Sequence, residues 1–278
     1  MAPRQAQGAP QGGGEGPPRA RRPARRLVAT PVGYERRGPA ALVTIDRPER
    51  RNAVDGPTAA ALRDAFERFC GDDGARVLVL TGAGEEAFCA GADLKALDTL
   101  DVDAPGGPLG FTRLASPKPT LAAVSGWCLA GGFELALWCD LRVATEQARF
   151  GCAERRWGVP LMDGGTQRLA RVAGQGRALD LVLSGRTVDA PEALAMGIVT
   201  EVVPPGRQVE RALELAERLA AFPQETMLSD RRALLEGLGL PLADGLALEA
   251  RLGTEVLAAA LEGARRFAAG EGRGGAGL

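Results

Sequence analysis

Two glutamates stand where a carboxylate is poorly hydrated. Glu134 lies inside the apolar run Gly132-Phe133-Glu134-Leu135-Ala136-Leu137, and Glu154 follows Phe150-Gly151-Cys152-Ala153. Apolar surroundings push a carboxyl's ionisation toward neutrality, which suits a group that must take and return a proton. Ordinary ion pairs are open as well, with Arg142 for Glu134 and with Arg155 or Arg156 for Glu154. The second chemical feature is a pair of turns built from small residues, Cys89-Ala90-Gly91-Ala92-Asp93-Leu94 and Leu129-Ala130-Gly131-Gly132-Phe133-Glu134. Each is expected to precede a helix, whose first N–H groups are unpaired and partly positive. Converging turns of this kind would stabilise a carbonyl oxygen that becomes an enolate. Small residues also permit close packing of neighbouring elements, and spacing alone leaves both readings open.

Composition narrows the alternatives. The 278 residues include no histidine, which removes Ser-His-Asp and Cys-His nucleophiles, histidine-ligated metals and a histidine base. Lys95 and Lys118 are the only lysines and Tyr34 is the only tyrosine, so acid-base chemistry falls to Asp and Glu. A net charge of −1 gives no bulk attraction to nucleic acid or an anionic membrane. It hides an arginine-rich start of about +5 set against a remainder of about −6. The 5 cysteines form no C-x-x-C pair and fit a reduced, cytoplasmic protein. No apolar signal-peptide core is visible near the start. The longest apolar stretch, Leu121 to Cys139, carries Glu134 and three glycines, and so reads as buried core. Gly82-Ala83-Gly84-Glu85-Glu86-Ala87 follows an apolar strand as a dinucleotide fingerprint would. Another glycine arrives within a turn, no amphipathic helix follows, and two acids would repel phosphates.

The elements that must position these residues read as mixed α/β. Residues 1–33 are expected to be a disordered tail, 34–206 a core, and 207–278 a helical region. Strands are predicted at Ala40–Ile45, Val77–Leu80, Thr120–Val124 and Ile198–Val203, the second buried on both faces. Helices are predicted from Pro57 to before Gly71, and at Gly131–Trp138, Arg177–Leu183, Ala190–Met196, Val209–Ala220 and one long stretch over Leu242–Ala268. Residues 99–110 read as a long loop.

Several motifs then follow one another in an order that resembles the crotonase (enoyl-CoA hydratase/isomerase) superfamily. They are Arg47-Pro48-Glu49-Arg50-Arg51-Asn52-Ala53, Ala87-Phe88-Cys89-Ala90-Gly91-Ala92-Asp93-Leu94-Lys95, the run from Val124 to Ala136, Gly164-Gly165-Thr166-Gln167-Arg168-Leu169, and Asp189 to Val199. The resemblance covers roughly residues 34 to 268 and implies a spiral of β-β-α turns with C-terminal helices that build trimers, often paired into hexamers. It implies an acyl-CoA thioester substrate, with coenzyme A entering as part of the substrate and no separate cofactor. The N–H groups at Ala92 and Gly131 would hold the thioester oxygen. Arg51 to Ala53 and Ala90 to Lys95, including Ala92, Asp93 and Leu94, would border the CoA moiety, with Lys95 meeting a phosphate. Glu134 and Glu154 match the two glutamates that hydratases place on a water, here as base and C2 acid, with labels that could exchange in a coupled pair.

Residues 155–163 depart from the family's pattern. Arg155 or Arg156 could hold Glu154 ionised, and Met162 would narrow the acyl pocket. Asp163 adds a third carboxylate, either a cap for the next helix or a catalytic group. The leading expectation is hydration of a 2-enoyl-CoA. Alternatives are Δ3-Δ2 enoyl-CoA isomerisation, hydrolysis or decarboxylation on the same oxyanion hole, and a non-catalytic scaffold whose basic tail binds an anionic partner such as RNA.

Overall fold

The computed structural model describes residues 1–2 and 30–271. The chain runs β1 (Val32–Arg37), β2 (Ala40–Ile45), α1 (Gly56–Gly71), β3 (Val77–Gly82), β4 (Ala87–Cys89), β5 (Thr120–Val124), β6 (Trp127–Leu129), α2 (Gly131–Trp138), β7 (Leu141–Thr145) and β8 (Arg149–Gly151). It continues through α3 (Gly165–Ala173), α4 (Gln175–Ser184), β9 (Thr187–Asp189), α5 (Ala190–Ala195), β10 (Glu201–Val203), α6 (Gln208–Ala221), α7 (Gln224–Gly237), α8 (Leu242–Glu255) and α9 (Leu257–Ala268).

Two sheets result. One has the order β1-β2-β3-β5-β7-β10 and is parallel except for the β1–β2 pair; the other has the order β4-β6-β8-β9 and is parallel except for β8–β9. The successive pairs β3–β4, β5–β6 and β7–β8 each give one strand to each sheet, so the chain climbs one strand per turn. Alternation along β3 ties the layers together. Leu78 and Leu80 pack with the Leu62, Phe66 and Phe69 face of α1, whereas Val77 and Val79 pack against Ala212 and Ala216 of α6. The first helix of the expected C-terminal region thus belongs to the core. Asp55 caps α1 by accepting from the Thr58 N–H at 2.9 Å. Lys118 closes the helix's other end, donating to the carbonyls of Phe69, Asp72 and Ala75.

Several expectations need correction. Most of the predicted tail, residues 3–29, lies outside the described residues, but Val32 and Gly33 belong to β1, where Val32 pairs with Ile45 and is buried. The predicted strand over Ile198–Val203 shortens to β10. The long C-terminal stretch is two helices divided at Val256, and α7 precedes them. The 19-residue apolar stretch is spent on β5, β6 and α2, and among the described residues no helix is long and apolar enough to cross a membrane.

Candidate active site

The three parallel strands of the second sheet, β4, β6 and β8, end side by side, and each carries a part of the site a short way beyond its last residue. Cys89 pairs with Cys128, and Cys128 with Phe150. Ala92 follows β4, Gly131 follows β6 and opens α2, and Glu154 follows β8 in a short 3-10 turn, Ala153–Trp157. The two glycine turns converge. Gly91 has φ 93°, and a Cβ there would lie 2.8 Å from the Gly131 nitrogen; a Cβ on Gly131 would lie 3.6 Å from the Ala92 nitrogen. Neither of those N–H groups donates a hydrogen bond within the described residues. Close packing and a pair of free donors therefore coexist here. The second turn opens a helix as expected, with Ala130 ahead of it at φ 51°. The first does not: after Asp93 the chain makes only a 3-10 turn at Leu97–Thr99, so the Ala92 N–H is left free by loop geometry.

Glu134 sits in the first turn of α2, 3% exposed. Its Oε1 accepts from the N–H groups of Asp163 at 2.9 Å and Gly165 at 2.8 Å. The approach is close enough that a Cβ on Gly165 would lie 2.8 Å from the Glu134 Cγ. Burial pushes the carboxyl up to about 7, and the nearby Asp163 and Glu154 charges add to the rise against the two N–H bonds. Arg142 is no partner; it donates to the carbonyls of Ile198, Cys139, Ala136 and Asp140. Glu154, 5% exposed, has no hydrogen-bond partner on either carboxylate oxygen, and burial raises it above the usual range. Neither Arg155 nor Arg156 forms an ion pair with it among the described residues; Arg155 donates instead to the Val182 carbonyl at 3.2 Å.

A cavity of about 220 Å³ joins these groups. Of the predicted residues, Ala90, Ala92, Leu94, Gly131, Glu134, Glu154, Met162 and Asp163 line it. Arg51, Ala53, Asp93 and Lys95 do not. Arg51 pairs with Glu86 at 2.7 Å while its carbonyl accepts from the Ala90 N–H. Asp93 is ion-paired with Arg47 at 3.2 Å, and the Ala53 carbonyl accepts from that same arginine. Lys95 is exposed. Asp163 does not cap α3, whose N-cap is Gly164 with no side-chain bond. Its Oδ1 accepts from the Leu109 N–H at 3.1 Å and from the Thr112 hydroxyl. Sequence reasoning missed the apolar lining of Val102, Leu109, Trp157 and Leu161. Their one available signal was apolar residues in segments that otherwise read as loop.

A family profile described as enoyl-CoA hydratase/isomerase matches residues 35–270. A probable enoyl-CoA hydratase of Rhizobium meliloti is 42% identical over 225 residues, covering 78% of this chain and 86% of that protein. A short-chain-enoyl-CoA hydratase of Clostridium acetobutylicum is 36% identical over 224 residues, 78% of this chain and 86% of that one. Among solved structures, an enoyl-CoA hydratase from Mycobacterium tuberculosis superposes with a TM-score of 0.81 at 36% identity, covering 86% of this chain and 96% of its own. With the stacked β-β-α turns and C-terminal helices described above, these matches make the chain a member of the enoyl-CoA hydratase/isomerase family, within the crotonase superfamily.

Proposed function

We propose that the chain adds water across the C2=C3 bond of 2-enoyl-CoA thioesters. The observation that carries this reading is the meeting of Glu134, Glu154 and the free N–H groups of Ala92 and Gly131 at one small, largely apolar cavity. The N–H pair holds the thioester oxygen and meets the negative charge that grows on it. Glu134, its Oε1 fixed by two N–H donors, accepts a proton as water attacks C3. Glu154 delivers a proton to C2. An acyl group covering the cleft removes water from Glu154, which has no protein donor to hold a charge, while Glu134 keeps its two bonds. The proton therefore settles on Glu154 before reaction and returns to it from Glu134 afterwards, and the two titrate as a coupled pair.

Lys95, exposed beside the first turn, is assigned to a CoA phosphate as a point charge. The proposal extends to a homotrimer or hexamer, supported by the exposed leucines of α7 to α9, and to a cytoplasmic setting, supported by five cysteines that are all free thiols.

The test is the loss of enoyl-thioester absorbance with crotonyl-CoA and longer 2-enoyl-CoAs. Glu134→Gln and Glu154→Gln should each lower kcat by about 10²–10⁴-fold, the range of a lost general acid or base. Absence of turnover at every chain length, or full activity in both variants, sinks the proposal. Dependence on one glutamate alone, with a 3-enoyl-CoA as substrate, would mark an isomerase instead.

A further inference from the structure

We propose that Asp163 is a positioning residue that sets the orientation and the charge of Glu134 by locking the Leu109–Thr112 segment onto the start of α3. Its N–H and Oδ1 make cross-links between segments far apart in sequence. The N–H donates to Glu134, Oδ1 accepts from Leu109 and Thr112, and the carbonyl accepts from Arg168 at 2.8 Å. Arg168 also donates to the Thr112 carbonyl at 2.6 Å, so the same segment is gripped twice. The segment matters because Leu109 stands over the oxyanion donor: a Cβ on Gly131 would lie 2.7 Å from Leu109 Cδ1. One side chain, 4% exposed, thus fixes both the wall above Gly131 and the peptide that aims at Glu134.

Two consequences can be separated. The geometric one passes through Oδ1, which an asparagine can reproduce. The electrostatic one passes through the carboxylate's charge, which an asparagine removes. The charged and titratable groups around Glu134 are Asp163 and Arg168 at the start of α3, and Glu154 and the Cys152 thiol after β8. Asp163 opposes ionisation of Glu134, so its neutralisation should ease that ionisation.

The experiment compares Asp163→Asn and Asp163→Ala with wild type in the full chain. Asp163→Ala leaves the Leu109 N–H and the Thr112 hydroxyl without their acceptor. It should lower kcat by about ten- to a hundredfold, with KM moved far less, as expected for a misplaced catalytic group. Asp163→Asn should restore most of kcat while moving the acidic limb of the pH–rate profile to lower pH. A structural role alone would not move that limb. The inference rests on the hydratase reading, so a second readout is independent of turnover: the Glu134 carboxyl, followed by 13C NMR and identified with Glu134→Gln, should titrate at lower pH in Asp163→Asn. Wild-type inactivity would sink the hydratase reading and leave the NMR result to decide this one. An unmoved Glu134 titration overturns the inference. So does an Asp163→Asn enzyme as slow as Asp163→Ala, which would make Asp163 itself a proton carrier.

Discussion

Two carboxyl groups face one cavity with opposite endowments. Glu134 has two N–H donors on one oxygen, and Glu154 has none on either. In the reaction proposed above the first takes a proton from water and the second supplies one to C2, and the pH response follows from the first. As the base, Glu134 must be ionised, and it is pushed up to about 7, so kcat/KM should fall as pH drops through about 7. A profile of kcat/KM against pH checks this; a flat profile between pH 5 and 8 would remove Glu134 from the base role. Both glutamates were legible from sequence, because an acid inside an apolar run advertises its own discomfort. The role of Asp163 was not legible, since Leu109 and Thr112 reach it across 54 and 51 residues and its neighbour Gly164 made a helix cap the cheaper guess.

At the scale of elements, the start of α2 holds the most constrained geometry. Ala130 has φ 51° and ψ −126°, a region that an alanine occupies only under strain of about 1–3 kcal/mol. The turn persists because Ala130 N–H donates to the Gly151 carbonyl and its own carbonyl accepts from Glu134 N–H. Ala130→Gly should raise the melting temperature, because relief of that strain outweighs the roughly 0.4–1 kcal/mol by which glycine favours the unfolded chain. It should also lower kcat by loosening the aim of the Gly131 N–H. Unchanged melting and kcat would mean the turn is relaxed. Two residues on, a Cβ on Gly132 would collide with the Cys89 carbonyl, a backbone atom that cannot step aside. Gly132→Ala should therefore destabilise by about 1–3 kcal/mol in a urea melt, the usual cost of overpacking. The limits of α2 could be read from its glycine pair and apolar content. The break at Val256 could not, because the nearest glycine, Gly253, stands inside α8 and the backbone merely leaves helical geometry at φ −109°. Three-residue strands such as β6 and β8 are too short for any period to register, and β1 hides behind its Glu35, Arg36 and Arg37.

The molecule as a whole is bounded at one side by β1, whose Val32 joins the core and whose six residues pair along β2. Deletion of residues 1–29 should leave turnover intact, whereas deletion through Arg37 should strip β2 of its partner and lower the melting temperature. Equal melting of the two truncations would show that β1 contributes nothing. Toward the C-terminus, Leu234, Leu242, Leu246, Leu257, Leu261 and Phe267 are exposed on α7 to α9. The proposed assembly would cover them, so sedimentation should give a trimer or hexamer mass, and a monomer at micromolar concentration would overturn the assembly proposed here. The climb of one strand per turn has a consequence for how such a site can change. Ala92, Gly131 and Glu154 each follow one of three adjacent strands, so the strand ends that present them are spaced by backbone hydrogen bonds, about 4.8 Å to a step. That interval is a ruler which side-chain substitution leaves untouched. New substrates or reactions on this chain have to be found by exchanging the groups read against it, Glu134, Glu154, Met162 and their neighbours, while the graduations stay where the sheet puts them.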